Sequence, residues 1–274
     1  MTAQVIFFGN GPLADYTLEV LKKHCEIIFH ARTKADLSTA AQLKQQNPKA
    51  FGILASFGVL IKDEILAAFA PEGILNLHPS LLPAYRGASP IESAILAGDN
   101  DFSYSIMRLA HAMDAGPIYH QATLAGLPLD KLAIYQALAT AGAEWLVAHL
   151  GEIRQLTPTP QDDSQATFTQ KLSKGDSLLD PTRHTAAELY RQIIAYQGFP
   201  KPKYEFYGKM CIILKAHLVD INTIICDPSL APEVSTPLML KCADRSFVAI
   251  DELQPEGKKP MTTKAFMNGY ARIA

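Results

Sequence analysis

Asn76 and His78 stand two residues apart in the run Ile74-Leu75-Asn76-Leu77-His78, whose apolar neighbours read as a strand. At that spacing both side chains leave the same face of the strand. Pro79 follows at once and cannot donate to a ladder, which puts the pair at the strand's carboxyl edge. An amide donor and an imidazole aimed into one cleft suit the oxyanion of a tetrahedral intermediate. The same two residues would also serve as plain strand-end caps, so their surroundings must decide.

Two other groups carry possible chemistry. Gly9-Asn10-Gly11-Pro12-Leu13-Ala14 fits the G-x-G-x-x-G/A dinucleotide pattern between a strand and a helix. The acidic residue that should close the second strand is missing, and His30-Ala31-Arg32 stands there instead. Arg32 suits a 2′-phosphate, which keeps an NADP-binding oxidoreductase open as a different class of reading, while the glycines also serve simply to turn the chain. His111 and His120 have no carboxylate or thiol at ligand spacing, so no metal is expected. Cys25, Cys211, Cys226 and Cys242 form no CxxC pair and lie in or beside apolar runs, which points away from zinc and disulfides.

The elements that must position these groups alternate through the first half. Val5–Phe8, Glu26–His30, Phe51–Ser56, Ile74–His78, Tyr104–Leu109 and Pro117–Gln121 read as strands. Between and after them, residues 13–23, a polar Ala-, Gln- and Lys-rich stretch, and residues 63–69, 90–96 and 129–150 read as helices. That alternation predicts an α/β fold, a mostly parallel sheet with helices on both faces. Sites in such sheets form at the carboxyl ends of strands, here Gly9–Gly11, Ser56-Phe57-Gly58 and Asn76–His78.

At Gln155 the composition turns to Pro, Thr, Gln, Asp and Ser, which reads as a linker over 155–167 between a domain at 1–154 and another at 168–274. Beyond it a helix at 185–196 precedes strands at 209–219, 221–225, 237–242 and 247–253 and a short helix from Thr263. One helix with about five short strands suggests a small OB-like β-barrel. Residues 1–163 hold 11 Lys and Arg against 16 Asp and Glu, and residues 164–274 hold 14 against 11. The basic second half fits a phosphate-bearing partner as well as an ordinary solvated surface. Met-Thr-Ala-Gln opens the chain without a charged n-region, and no stretch approaches 18 apolar residues. The expectation is a soluble, cytoplasmic monomer with no membrane partner.

The segment around the pair is more specific than its elements. Asn76-x-His78-x-Ser80-Leu81-Leu82-Pro83-x-x-Arg86-Gly87-x-x-Pro90-Ile91, with Met113-Asp114-Ala115-Gly116-Pro117-Ile118, resembles the folate-dependent formyltransferases. The resemblance implies a catalytic Asn, His and Asp at Asn76, His78 and Asp114 and the donor 10-formyltetrahydrofolate. It assigns folate contact to Ser80, Leu81, Leu82 and Pro83 and to Phe57, Gly58, Val59 and Leu60. Gln170-Lys171-Leu172-Ser173-Lys174, Leu179-Asp180 and the run from Leu253 to Met261 resemble the C-terminal domain of the methionyl-tRNA branch of that family. That branch implies formylation of the amino group of methionyl initiator tRNA. Lys171, Lys174, Lys201, Lys203, Lys209, Lys258 and Lys259 would then meet phosphates. The chain departs from the branch after the second strand: Thr33-Lys34-Ala35-Asp36 leads directly into a helix where the branch carries a long basic loop. A nucleotide-sugar or other small-amine acceptor therefore stands as the alternative.

Overall fold

The computed structural model describes residues 2–219 and 238–270. Contacts divide the chain into two compact units: residues 1–94 with 99–171, and residues 95–98 with 172–274. The expected strand at 221–225 and Cys226 lie outside the described residues.

The first unit is built on six strands: β1 (Gln4–Gly9), β2 (Glu26–Ala31), β3 (Phe51–Ala55), β4 (Ile74–His78), β5 (Phe102–Arg108) and β6 (Ile118–Leu124). Their order is β2-β1-β3-β4-β5-β6. The first four run parallel, and β5 and β6 are antiparallel to their neighbours. The mostly parallel sheet expected from the alternation is present; the direction reverses at β5, although a helix at Pro90–Ala97 lies in the connection from β4, and β6 then pairs antiparallel across the short connection of residues 109–117. Helices α1 (Pro12–His24), α2 (Asp36–Gln46), α3 (Asp63–Ala68), α4 (Pro90–Ala97) and α5 (Lys131–His149) complete the α/β pattern.

Burial explains the continuous apolar strands. Every residue of β4 is buried, polar ones included. On one face Ile6, Phe8, Leu54 and Ile74 pack with Leu37 and Ala40 of α2 and with Phe69. α5 starts where Asp130 Oδ1 accepts the Ala133 N–H at 2.8 Å, satisfying one of the first-turn donors. The connection from β2 to α2 is only residues 32–35. Asp36 closes it by accepting from the Arg32 and Thr33 N–H groups, both at 2.8 Å, and these bonds hold its carboxyl below the ordinary range.

Residues 155–171, read from composition as a linker, are strapped to the first unit. Thr159 and Ile118 exchange backbone bonds of 2.8 Å each way, and Arg86 pairs with Phe168. Polar composition reported the segment's exposure, and its backbone bonding needs no apolar side chains.

In the second unit α6 (Ala186–Ala195) begins with a capping box, Thr185 with Glu188. It packs Leu189 and Ile193 on an apolar cluster with Ile213, Val248, Ile250 and Leu253. The strands are β7 (Lys203–Phe206), β8 (Lys209–Val219), β9 (Met239–Lys241), β10 (Phe247–Pro255) and β11 (Met261–Thr262), followed by α7 (Thr263–Tyr270). These strands pair antiparallel, in the path β11-β10-β8-β7 with β9 on β10, and Leu178 adds a parallel bridge to Lys203. β7 escaped the sequence reading because Lys203-Tyr204-Glu205-Phe206 is short and partly charged.

Candidate active site

The carboxyl ends of β3 and β4 open on a cavity of about 330 Å³, within the range of small-molecule sites. Its lining includes Leu54, Phe57, Val59, Leu60, Ile61, Leu109 and Met113, with Asn76, His78 and Asp114 among the polar groups. Leu60 is 74% exposed and Met113 63%, so two large apolar side chains stand uncovered along this lining. Phe57, Gly58, Val59 and Leu60, expected at the folate, all line it.

Asn76 and His78 sit on β4 opposite Met107 and Ser105 of β5. Among the described residues no protein group hydrogen-bonds the Asn76 side-chain amide, which therefore has both N–H groups to offer to the cavity. His78 is fixed at its other end: Nε2 lies 3.1 Å from the Tyr85 carbonyl. A carbonyl only accepts, so Nε2 is the donor to Tyr85 and Nδ1 is the ring nitrogen left for another partner. Nδ1 faces Asp114 Oδ2 at 3.7 Å, beyond hydrogen-bond length. Both side chains are largely buried, and with no bond between them Nδ1 stays open to a ligand.

Asp114 comes from the loop between β5 and β6. Its backbone holds a φ of 49°, and its Oδ2 accepts the Gly87 N–H at 2.9 Å. Gly87 has φ 118° and lies against Thr169, where an added Cβ would fall 2.7 Å from Oγ1. Only glycine meets both conditions. Gly116 is similarly constrained, since a Cβ would overlap the Arg108 carbonyl. These two glycines let the Asp114 loop and the residue 87 turn close on each other.

Gln161 was missed by the sequence reading and touches the same loop: Nε2 donates to the carbonyls of Asp114 (2.8 Å) and Gly116 (2.7 Å). Its sole sequence signal was a glutamine in a Pro- and Asp-rich stretch. Tyr135 was also missed. It lines the cavity from α5, and its hydroxyl donates to Glu92 Oε1 at 2.9 Å. Burial and then the Glu92 charge hold the phenol well above its ordinary range. Lys131 Nζ lies 3.5 Å from the same carboxylate, and burial lowers its ammonium despite that partner.

Ser80-Leu81-Leu82-Pro83, also expected at the folate, follow β4 directly and stand beside the cavity lining rather than in it. Ser80 Oγ donates to the Ala84 carbonyl at 2.6 Å. Buried Ser105 donates to the Ser80 carbonyl at 2.6 Å and accepts the Leu82 N–H at 3.1 Å. These bonds fix the turn that carries Tyr85 back to His78. After β1, His30 Nε2 lies 3.0 Å from the Gly9 carbonyl, and the exposed Arg32 donates from Nε to His30 Nδ1 at 3.3 Å.

His111 pairs with Asp63 at 3.0 Å on the surface, and His120 stacks on Trp145 with ring centres 4.8 Å apart. Of the seven lysines, Lys171, Lys174, Lys201, Lys209, Lys258 and Lys259 are exposed. Lys203 is half-buried and paired with Glu256 at 3.0 Å. Among the described residues no helix is long and apolar enough to cross a membrane.

Residues 13–150 match the family model described as "Formyl transferase", and residues 171–271 match "Formyl transferase, C-terminal domain". The methionyl-tRNA formyltransferase of Dictyoglomus turgidum is 35% identical over 265 residues, covering 95% of this chain and 82% of its own. Two solved structures share the fold. HypX from Aquifex aeolicus in complex with tetrahydrofolic acid has a TM-score of 0.73 at 14% identity, covering 98% of this chain and 47% of that one. The N-formyltransferase from Helicobacter canadensis, with folinic acid and dTDP-3-aminofucose, has a TM-score of 0.62 at 14% identity, covering 93% and 100%.

Proposed function

Because the chain belongs to the formyltransferase family, with the amino-terminal and carboxyl-terminal models both matched, we propose that it moves a formyl group from 10-formyltetrahydrofolate to the amino group of methionyl initiator tRNA. The observation that carries the reading is the convergence of Asn76, His78 and Asp114 on one cavity beside the loop of Phe57, Gly58, Val59 and Leu60. Family membership displaces the NADP-binding oxidoreductase reading.

The apolar lining suits a flat pterin ring, which would cover Leu60 and Met113. The deprotonated acceptor amine attacks the formyl carbon and builds a tetrahedral intermediate with charge on oxygen. The Asn76 amide and the His78 Nδ1–H donate to that oxygen, and each donor lowers the barrier by about 2.7–4 kcal/mol. Asp114 stabilises the charged imidazole and relays the proton leaving the amine toward the folate nitrogen, whose bond to the formyl carbon breaks as the carbonyl re-forms. Positioned proton transfer of this kind contributes roughly 100- to 10,000-fold.

Relatives named methionyl-tRNA formyltransferase, and the matched carboxyl-terminal model, favour the tRNA acceptor. Exposed Lys171, Lys174, Lys201, Lys209, Lys258 and Lys259 supply phosphate contacts, with Lys203 a weaker candidate because Glu256 already holds it. One observation favours a small amine such as an amino sugar: the four-residue connection from β2 to α2 leaves no loop to reach an acceptor stem. A transfer assay with charged initiator tRNA and a panel of amino sugars, read by tetrahydrofolate release, decides between them. Salt-sensitive turnover with the tRNA supports the first acceptor; turnover with sugars alone overturns it.

A further inference from the structure

Gln161 uses its whole side-chain amide. Both N–H groups are taken by the Asp114 and Gly116 carbonyls, and Oε1 accepts from Arg86 Nε at 3.1 Å and Nη2 at 2.7 Å. Arg86 is itself 4% exposed, with Asp163 Oδ1 2.7 Å from Nη2 as its second partner. A buried guanidinium keeps its place only when its donors are met, so Arg86 is a rigid anchor for whatever it holds. Its backbone is tied as firmly: its N–H donates to Thr167 O at 2.9 Å and its carbonyl accepts from Thr169 N–H at 2.8 Å. The next residue, Gly87, holds the Asp114 carboxylate.

The acid facing His78 is therefore gripped twice from one anchor, on its carboxylate through Gly87 and on its backbone through Gln161. The second grip is needed because Asp114 has a φ of 49°, which is unfavourable for a side-chain-bearing residue outside a supporting frame. We propose that Gln161 is a positioning residue for the transfer reaction, holding the loop of residues 114–116 in the conformation that presents the Asp114 carboxylate to His78. The proposal rests on the formyl-transfer reading of the site.

The chemistry of the two grips suggests the test. Glutamate at 161 would still accept from Arg86 but could donate to neither carbonyl, and its charge would face both. Gln161→Glu thus keeps the anchor and removes the hold on the loop, whereas Gln161→Ala removes both. The experiment uses the full chain and both variants. It measures kcat and the donor KM, and in the ligand-free protein the amide NMR signal of Gly87, whose N–H bonds the Asp114 carboxylate. The expected result is a kcat loss of about 10- to 100-fold in both variants, the size of effect a misplaced catalytic group produces. The donor KM should stay close to wild type, and the Gly87 signal should move in both.

A kcat near wild type in both variants overturns the proposal. So does full recovery in Gln161→Glu, which would leave Gln161 as an Arg86 partner only. If Gln161→Ala does not fold, Gln161→Met, similar in length and without polar atoms, takes its place. A wild-type chain that transfers formyl to no acceptor would sink the functional reading, and the Gly87 signal would still decide whether Gln161 holds the loop.

Discussion

Replacing Asn76 with alanine removes one donor from the site and little else. The side chain is 4% exposed, lines the cavity, and has no hydrogen-bond partner among the described residues, so its loss strands no buried group. The backbone of β4 at this position pairs with Met107 and is untouched by the change. Stability should therefore move little, while the intermediate loses a donor worth about 2.7–4 kcal/mol. At about 1.36 kcal/mol per decade, kcat falls roughly 100- to 1,000-fold. The assay is steady-state tetrahydrofolate release with donor and acceptor saturating, beside thermal unfolding of the same preparation. Asn76→Asp provides the control: its shape is retained but a carboxylate faces the developing negative charge, and the loss should be at least as large. A kcat within about threefold of wild type in Asn76→Ala, far inside the calculated loss, refutes the oxyanion role.

Asp114→Asn keeps an oxygen for the Gly87 N–H but removes the charge facing His78, so kcat should fall about 100- to 10,000-fold with the fold retained by circular dichroism. Ser105→Ala leaves the Leu82 N–H and the Ser80 carbonyl without their partner and should cost about 1–3 kcal/mol, measured as a lower urea midpoint. Burial, and then the neighbouring His149, hold the His120 imidazole below its ordinary pKa. Protons consequently bind the unfolded chain first, so its stabilising contribution is complete above about pH 6.5 and is lost as pH falls through the lowered folded value. His120→Gln should flatten the fall in thermal midpoint with acid; an unchanged slope removes this assignment.

Much of the framework was legible because strand and helix periods are local. Val5–Phe8, Ile74–His78 and the alternation around them announce a parallel sheet and the edge where its site must lie. The capping box at Thr185 and Glu188 likewise needs only residues three apart. The reversal at β5, the short charged strand β7 and the bonds that hold the Ser80–Pro83 turn were not legible. Each depends on which distant strand or serine lies alongside.

The site divides the same way. Two-residue spacing on a strand is sufficient to put Asn76 and His78 on one face, since the pleat alternates whatever the rest of the chain does. Only the folded molecule decides that Asp114 meets His78, that Tyr85 occupies one imidazole nitrogen and leaves the other free, and that Gln161 grips the loop from within an apparent linker. Those contacts join residues 7 to 47 positions apart, across turns whose closure is set by packing and backbone hydrogen bonds rather than by any period in the sequence.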